Sequence, residues 1–327
     1  MRYSHRFFLY APVCAVLLLA AAASAYWFSA YHRFTTKLAR LNGHDVVPGI
    51  RLSYTKAETG GFPFRLDAVL SDVRLQIQTD HGPLSWRSQH FALHSLDYGD
   101  MHILLEAAGR QSLSWYGKTG TRHAVAFTPG LLRASVLGDR STVRRVDVEL
   151  YDASTPLLRV VHAEFHLRKD PTRNGLDVVA MADRLELGAK DASTPADQIA
   201  QLRVAGLITP ATSWHGLLSG KASWQQAATL FRAADGRFEI DHLKLAWHTV
   251  DARGAGVLSL DAAARPQGVL KFSVQGQPGA VGGKAAGLLA ALHAAGPAAA
   301  HHAVNIAFKN GVSYVNASPV GLIAPLF

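Results

Sequence analysis

Apolar and polar residues alternate with a period of two over most of the chain beyond residue 46. In the segment 73–78, Val73, Leu75 and Ile77 would share one face of a strand, and polar residues would occupy the other. The same alternation recurs in the segments 146–150, 160–167, 243–247, 270–274 and 304–308. Because strand side chains point to alternate faces of a sheet, the pattern predicts half-buried antiparallel strands.

Turn residues separate these segments, and helical patterns are few. Asn174-Gly175 and Asn310-Gly311 are typical of tight hairpins. One helix is expected at 223–236, where a capping box begins the pattern, and another at 284–295. The buried stripe of the first would be Trp224, Ala227, Ala228 and Phe231. The predicted fold class is mainly β with few helices, built as large antiparallel sheets able to form a groove.

A long uncharged segment near the N-terminus predicts a transmembrane helix. Residues 7–28 contain no charge, and at ~1.5 Å per residue they would span roughly 33 Å, enough to cross a bilayer core. Tyr26, Trp27 and Phe28 would lie at the interface as an aromatic anchor. Apolar residues continue at helical spacing to Leu41, which predicts a juxtamembrane helix with one apolar face.

A cleaved signal peptide is the alternative interpretation of the first segment. Residues 23–25 have the small-residue pattern of a cleavage site. However, the apolar run exceeds the usual ~7–15 residues of a signal core and continues past that triplet, which favours a retained anchor.

Composition and charge exclude several classes of function. The 327 residues are 49% hydrophobic and 17% charged, which argues against disorder. Of the net charge of +9, five positive charges lie in the first forty residues, where there is no acid, so the rest carries only 28 − 24 = +4. This excess is diffuse and shows no basic stripe interleaved with aromatic residues, so we expect no nucleic-acid partner. A basic band beside a bilayer explains the charge better.

Candidate catalytic and metal-binding residues are sparse. His162, Glu164 and His166 would share one face of a strand and could approach a divalent metal. Positions about 7 Å apart along a strand rarely converge on one ion, so a solvated strand face is the simpler interpretation. The single cysteine, Cys14, lies in the apolar span, and no serine-hydrolase elbow or phosphate-binding loop occurs. We therefore expect no catalytic residues, metal site or cofactor.

The segment 59–68, TGGFPFRLDA, predicts a turn that begins a strand. Gly60-Gly61 permits backbone angles closed to other residues, and Pro63 lacks an amide donor, so it belongs at a strand start or edge. Phe62 and Phe64 would then point to one side as an aromatic anchor. The functional alternative is that Phe64 and Arg65 line a groove for a lipid or a protein partner.

Three segments give the chain a resemblance to a known family. Residues 60–75 after a single span, the strand meander at 236–274 and the C-terminal 310–327 resemble the bacterial family called domain of unknown function 2125. The chain departs from that family at 316–319, where Asn-Ala-Ser-Pro replaces a frequent Gly-Pro. The resemblance implies an envelope protein anchored in the inner membrane, with a large β-rich periplasmic domain and no established catalytic residues.

The residue patterns, together with the side of the membrane that the resemblance implies, divide the chain. Residues 1–6 would be a cytoplasmic stub, 7–28 the anchor, 29–45 a juxtamembrane helix and 46–327 the periplasmic domain, with a sub-boundary kept open near 195–215. At the level of architecture alone, an anchor followed by amphipathic strands is similar to the AsmA-like envelope proteins, which use long curved sheets as lipid grooves.

Three functional hypotheses follow. The first is a non-enzymatic anchored protein whose sheet binds a lipid or an envelope partner. Its candidate contacts are Phe62, Phe64, Arg65, Leu245 and Trp247. The groove itself would be lined by strand faces such as Leu66, Val73, Leu75, Leu243, Leu245 and Trp247. The second is a scaffolding protein with a closed core, and the third a metal-dependent enzyme centred on His162, Glu164 and His166.

Overall fold

The structure of the protein is a computed structural model, and it is mostly β, with 62% strand and 19% helix. The residues that it describes are 5–79, 82–96, 100–117, 119–139, 141–156, 158–187, 197–247, 250–276 and 302–326. The helix expected at 284–295 lies outside these residues.

The helices and strands have the following bounds. The helices are α1 His5–Leu41, α2 His215–Leu218 and α3 Trp224–Ala233, with a 3₁₀ turn at Ala211–Trp214. The strands are β1 Asp45–Val47, β2 Ile50–Ser53, β3 Lys56–Gly60, β4 Arg65–Thr79, β5 Gly82–Leu96, β6 Met101–Tyr116, β7 Arg122–Phe127, β8 Leu131–Gly138, β9 Val143–Ser154, β10 Leu158–Lys169, β11 Leu176–Leu187, β12 Asp197–Thr209, β13 Arg237–Trp247, β14 Val250–Leu260, β15 Pro266–Gln275, β16 His302–Lys309, β17 Val312–Val315 and β18 Ser318–Leu322. All six alternating segments lie within these strands, as predicted.

One antiparallel sheet of 18 strands contains every strand and does not close on itself. From β8 to β18 each strand pairs with the next along the chain, while β6 pairs with both β7 and β8. At the N-terminal end, β2 and β3 pair with different parts of β4. The strand β12 starts within the region 195–215 and pairs with both β11 and β13.

The tight hairpin predicted at Asn310-Gly311 and the predicted capping box are confirmed, whereas Asn174-Gly175 is only the end of a six-residue connection, 170–175, between β10 and β11. Asn310 and Gly311 take φ of 52° and 75° between β16 and β17, the positive angles that a two-residue hairpin needs. The Ser223 hydroxyl accepts a hydrogen bond from the backbone N of Gln226 (3.2 Å), and the Gln226 side chain accepts one from the Ser223 N–H (2.8 Å). These bonds satisfy amide groups that the first turn of α3 leaves free.

Two details of the helices differ from the expectation. The helix α1 ends at Leu41 rather than at residue 45, because Gly43 turns the chain with φ +80° and the Asn42 side chain pairs with the backbone of Tyr54. Trp224, expected in the buried stripe of α3, is 47% exposed, because it lies in the first turn at the edge of the helical segment.

The strand registers place apolar residues in an unbroken row across one face of the sheet. Each member is directly opposite the next on the neighbouring strand: Ala68, Leu93, Leu105, Ala134, Val148, Phe165, Ala180, Val204, Leu243, Gly254, Phe272 and Val304. At ~4.8 Å per strand the row is roughly 50 Å long. We call this side of the sheet the apolar face.

The C-terminal half of α1 packs on the apolar face at the N-terminal end of the sheet. Leu38 forms a buried cluster with Ala68, Leu70 and Val73 of β4. Trp27, which lies nearer the N-terminus of the same helix, packs with Leu66 at the start of β4. The helix therefore runs along β4 and is part of the core of the domain as well as its N-terminal extension.

Up-and-down connectivity divides the turns between two edges of the sheet. The edge at which β4 begins also carries the connections at 139–142, 170–175, 210–236, 261–265 and 310–311. Because α1 reaches the sheet there, at Trp27 and Leu66, we call it the proximal edge. The segment 210–236, with α2 and α3, packs on the sheet through Leu176, Ala211, Trp214, Ala227 and Phe231.

Candidate functional site

The apolar face is open to solvent at the centre of the sheet. Away from Leu176, which the helical segment covers, the apolar side chains at the centre of this face on β8 to β11 keep part of their surface exposed: Leu132, Ala134, Val136, Val146, Val148, Leu150, Ala163, Phe165, Leu167, Val178, Ala180 and Ala182. Phe165 is the most exposed of them, at 38%. We call this set the central apolar surface. Its members lie in register with one another, so they form one continuous patch.

The two ends of the same apolar face are closed. Under α1, Ala68 and Val73 are 0% exposed and Leu70 is 1% exposed. At the other end, Val274, Val304 and Val315 are similarly buried in a cluster that contains Trp247. The contrast between the ends and the centre distinguishes a core from a surface, although both have the same alternating sequence pattern.

The total accessible surface agrees with an open sheet. A compact monomer of 35.2 kDa is expected to expose roughly 13,000 Å², whereas the protein exposes 19716 Å². The N-terminal half of α1 contributes to the excess, because its side chains Val16 to Leu19 are 63–71% exposed.

The opposite face of the same strands is polar. Beside the apolar row, the neighbouring row carries Glu106, Arg133, Glu149, Glu164 and Arg203. Arg133 and Glu149 form an ion pair of 2.6 Å across β8 and β9. The polar face is therefore suited to contact with water, and the apolar face is suited to contact with an apolar ligand.

An apolar cavity lies where the helical segment meets the proximal edge. Its volume is about 220 Å³, and its lining includes Ile208, Trp214, Trp224, Phe231, Phe238 and Leu258. Trp214 is 8% exposed, and its buried indole Nε1 has no hydrogen-bond partner among the described residues. Ile208, Phe238 and Leu258 belong to the apolar face, so the cavity continues that face to the edge of the sheet.

The residues predicted to line a groove are divided between closed and half-open regions. Leu66 (9%), Val73 (0%) and Trp247 (7%) are buried, while Leu243 and Leu245 are half-buried. Leu245 packs against the cluster around Trp247 at the closed end of the sheet. The central apolar surface was missed as a separate region, because alternation predicts which face is apolar but not which strands a helix covers.

Phe62 and Phe64 lie outside the strand that they were expected to begin. The strand β4 starts at Arg65, and residues 61–64 form a turn closed by a hydrogen bond from the Arg65 N–H to the Gly61 carbonyl (2.9 Å). Gly61 takes φ +107°, and an added Cβ would lie 2.5 Å from the Arg65 carbonyl oxygen, so a glycine is needed there. Phe62 and Phe64 are 55% and 65% exposed.

This turn packs on the end of the uncovered part of α1. The Phe62 ring lies edge-on to Trp27 (5.2 Å between centroids) and beside Phe28 (6.0 Å). The Trp27 indole donates a hydrogen bond to the Arg65 carbonyl (2.9 Å), and Tyr31 hydrogen-bonds Thr59 (2.6 Å). Trp27 is only 4% exposed, so the helix becomes part of the domain at this residue.

His162, Glu164 and His166 share one face of β10, as the alternation predicts. His166 is hydrogen-bonded on both ring nitrogens, to Asp147 and to Glu164, each at 2.8 Å. Nε2 of His162 lies 2.9 Å from Glu164 but without the angle of a hydrogen bond. The His162 ring also stacks on Tyr151.

These contacts explain the electrostatics of the cluster. The hydrogen bond to Asp147 raises the pKa of His166, and the one to Glu164 adds to this effect, against the cost of burial. Burial alone would raise the pKa of Asp147, but hydrogen bonds from His166 and Arg145 outweigh it and lower that pKa. Among the described residues, no group of three histidine, cysteine or acidic side chains has the geometry of a metal site.

The comparisons with known proteins identify the family. The model of a family described as an uncharacterized protein conserved in bacteria, DUF2125, matches residues 27–324. The chain belongs to the DUF2125 family. The region of this DUF2125 protein that matches the family model begins at Trp27, the residue at which α1 joins the sheet. It does not include the preceding apolar part of the helix. No curated protein and no solved structure matches this DUF2125 chain.

One membrane-spanning candidate is present among the described residues. The helix within Tyr10–Leu41 is long and apolar enough to cross a bilayer by length and composition. Residues 10–25 of this helix are mostly exposed, and the stretch from residue 5 to residue 26 measures roughly 33 Å at 1.5 Å per residue. This length fits the ~30 Å hydrocarbon core of a bilayer.

Proposed function

We propose that this protein is a non-enzymatic, inner-membrane-anchored envelope protein that binds lipid acyl chains on its central apolar surface. The domain from Trp27 onward lies on the periplasmic side in this proposal. The observation that carries it is the unbroken apolar row, which is open at Phe165 and closed at both ends. Soluble domains rarely expose so large a contiguous apolar patch without a ligand or a partner.

Acyl chains fit this surface better than a compact ligand does. The row is long, narrow and free of polar side chains, so it offers dispersion contacts along its length and no hydrogen bonds for a polar ligand. The cavity beside Trp214 extends the central apolar surface to the proximal edge of the sheet. In this proposal the helix α1 holds that edge next to the bilayer.

A pair of aromatic residues with equal exposure provides a matched test. Phe165 on the apolar face is 38% exposed, and Tyr151 on the polar face of the neighbouring strand is 37% exposed. In separate variants of the full chain, the photoreactive residue p-benzoylphenylalanine would replace Phe165 or Tyr151. Membranes that contain each variant would be irradiated, and the intact mass of the protein would then be measured. Lipid adducts at position 165 and none at position 151 are expected.

The second candidate function is a scaffold whose apolar face is covered by protein. The observation in its favour is that both ends of the face are already closed by the chain itself. In the same experiment, position 165 would then crosslink only to peptides of this chain or of another protein. Equal lipid labelling at positions 165 and 151 would contradict both functions, because neither predicts lipid on the polar face.

A further inference from the structure

We propose that the turn at residues 61–64 inserts into the bilayer interface and is a second membrane contact of the domain, separate from the spanning helix. The inference rests on the membrane anchor of the proposed function but not on lipid binding by the sheet. It would fix the proximal edge of the sheet at the membrane surface.

The position of the turn along α1 supports this assignment. Phe62 contacts Trp27 and Phe28, so it lies at the level where the uncovered part of the helix ends. If residues 5–26 cross the hydrocarbon core, this level is the bilayer interface, where tryptophan and other aromatic side chains are enriched. The turn cannot avoid this region, because the Trp27–Arg65 hydrogen bond fixes it to the helix.

The exposure of the aromatic side chains also favours insertion. Phe28, Phe62 and Phe64 expose 60%, 55% and 65% of their surfaces; Phe62 lies beside Phe28, and Phe64 belongs to the same turn as Phe62. A water-soluble domain would gain by burying them, and the bilayer is the partner already continuous with this patch. Arg65 follows immediately, 61% exposed, and could extend to the phosphate level while Asp67 holds its guanidinium at 3.3 Å.

The single native cysteine allows a direct test by spin labelling. A spin label on Cys14 of the native chain measures the environment of the spanning helix. In a Cys14→Ser background, a label on Phe64→Cys measures the environment of the 61–64 turn. In the same background, a label on Thr119→Cys measures that of an exposed turn at the opposite edge of the sheet. Each labelled chain is reconstituted into phosphatidylcholine nanodiscs. Accessibility to oxygen, which partitions into lipid, is compared with accessibility to a water-soluble nickel chelate.

We expect the ratio of oxygen accessibility to nickel accessibility to be several-fold higher at position 64 than at position 119. The ratio at position 64 should lie between those at positions 119 and 14. A ratio at 64 equal to that at 119, with a high ratio at 14, would overturn the turn insertion and leave the anchor intact. Equal ratios at all three positions would overturn both. Phe64 is largely exposed, so its replacement leaves the core unchanged.

A different set of residues carries a second, independent inference. We infer that a polar cleft on the opposite face of β4, β5 and β6 binds a phosphate-type anion. The cleft measures about 700 Å³, and its lining includes Arg74, Arg87, Arg110, Gln89 and Asp72. Asp72 takes φ +53° in β4, and the register of β5 with β6 shifts between Ser88 and His90, so neighbouring irregularities shape the cleft.

The three arginines of this cleft outnumber Asp72, the one acid in its lining. Arg74 and Arg87 are directly opposite each other on neighbouring strands, an arrangement that is unfavourable for like charges. No ion pair of the described residues involves Arg74, Arg87 or Arg110. The Nε of Arg74 is buried without a hydrogen-bond partner in the described part of the chain. An anion would satisfy this donor and offset the repulsion, since guanidinium groups bind phosphate oxygens in a fork geometry.

Thermal unfolding of the full chain in phosphatidylcholine nanodiscs tests the cleft. Inorganic phosphate should raise the unfolding temperature above that in chloride of equal ionic strength, and Arg87→Gln should weaken the apparent affinity roughly tenfold or more. Arg253→Gln, an exposed arginine elsewhere on the polar face, is the matched control. Stabilisation by phosphatidic acid nanodiscs but not by free phosphate would assign the anion to a lipid headgroup. An unfolding temperature that no phosphate compound raises, or raises equally in Arg87→Gln, would refute the site.

Discussion

Replacing Phe165 with alanine should cost much less stability than replacing Leu70, although both side chains lie on the apolar face. Phe165 lies at the open centre with 38% of its surface exposed, whereas Leu70 lies under α1 with 1% exposed. A fully buried phenylalanine contributes about 1.5–3 kcal/mol by transfer from water, so the buried part of Phe165 contributes roughly 1–2 kcal/mol. No closed cavity remains after its removal.

Leu70→Ala provides the reference for a closed site. It removes a side chain enclosed by the helix and β4, so we expect a loss of about 2–5 kcal/mol from transfer and cavity together. A closed core would impose the corresponding penalty on Phe165→Ala, about 3–5 kcal/mol. The free energies of unfolding would be measured by urea titration with pulse proteolysis, both variants in the same nanodiscs. A loss of 3 kcal/mol or more for Phe165→Ala would refute the open apolar surface.

Three further outcomes follow from the described contacts. NMR titration should show that the pKa of His166 lies above the usual ~6.5 and that Asp147→Asn lowers it. The protonated His166 therefore stabilises the fold fully below pH ~6.5, and this stabilisation is lost as the pH rises through the raised pKa. Gly206→Ala should destabilise the sheet by about 1–3 kcal/mol or more in urea unfolding, because the new Cβ would overlap a backbone carbonyl of β13, while Gly60→Ala, with open space around it, should be nearly neutral. Ser223→Ala should cost about 1 kcal/mol by removing the cap of α3, and an unchanged unfolding midpoint would contradict this.

The strands could be predicted from the sequence because their alternation is a local property. Each segment, such as 146–150 or 160–167, shows its two faces without reference to any other. The turn at Asn310-Gly311 was equally local, because few residue pairs adopt two positive φ angles. The family resemblance proposed from three short segments is confirmed over residues 27–324.

The central apolar surface could not be predicted in the same way, because its exposure depends on what covers the strands. Val73 and Phe165 both alternate with polar neighbours, yet α1 covers one and leaves the other open. The position of Phe62 was also non-local. Its sequence predicts a turn, but only the packing against Trp27 places that turn beside the apolar helix.

The pairing of strands that are neighbours in sequence has a consequence for biogenesis. Beyond β8 each strand needs only the strand before it as a template, so loop-closure entropy stays small at every step. The helix α1 precedes the strands in the chain and supplies a hydrophobic surface against which β4 can pack. Folding can therefore advance strand by strand along the chain, with the packing of β4 on α1 as its starting point.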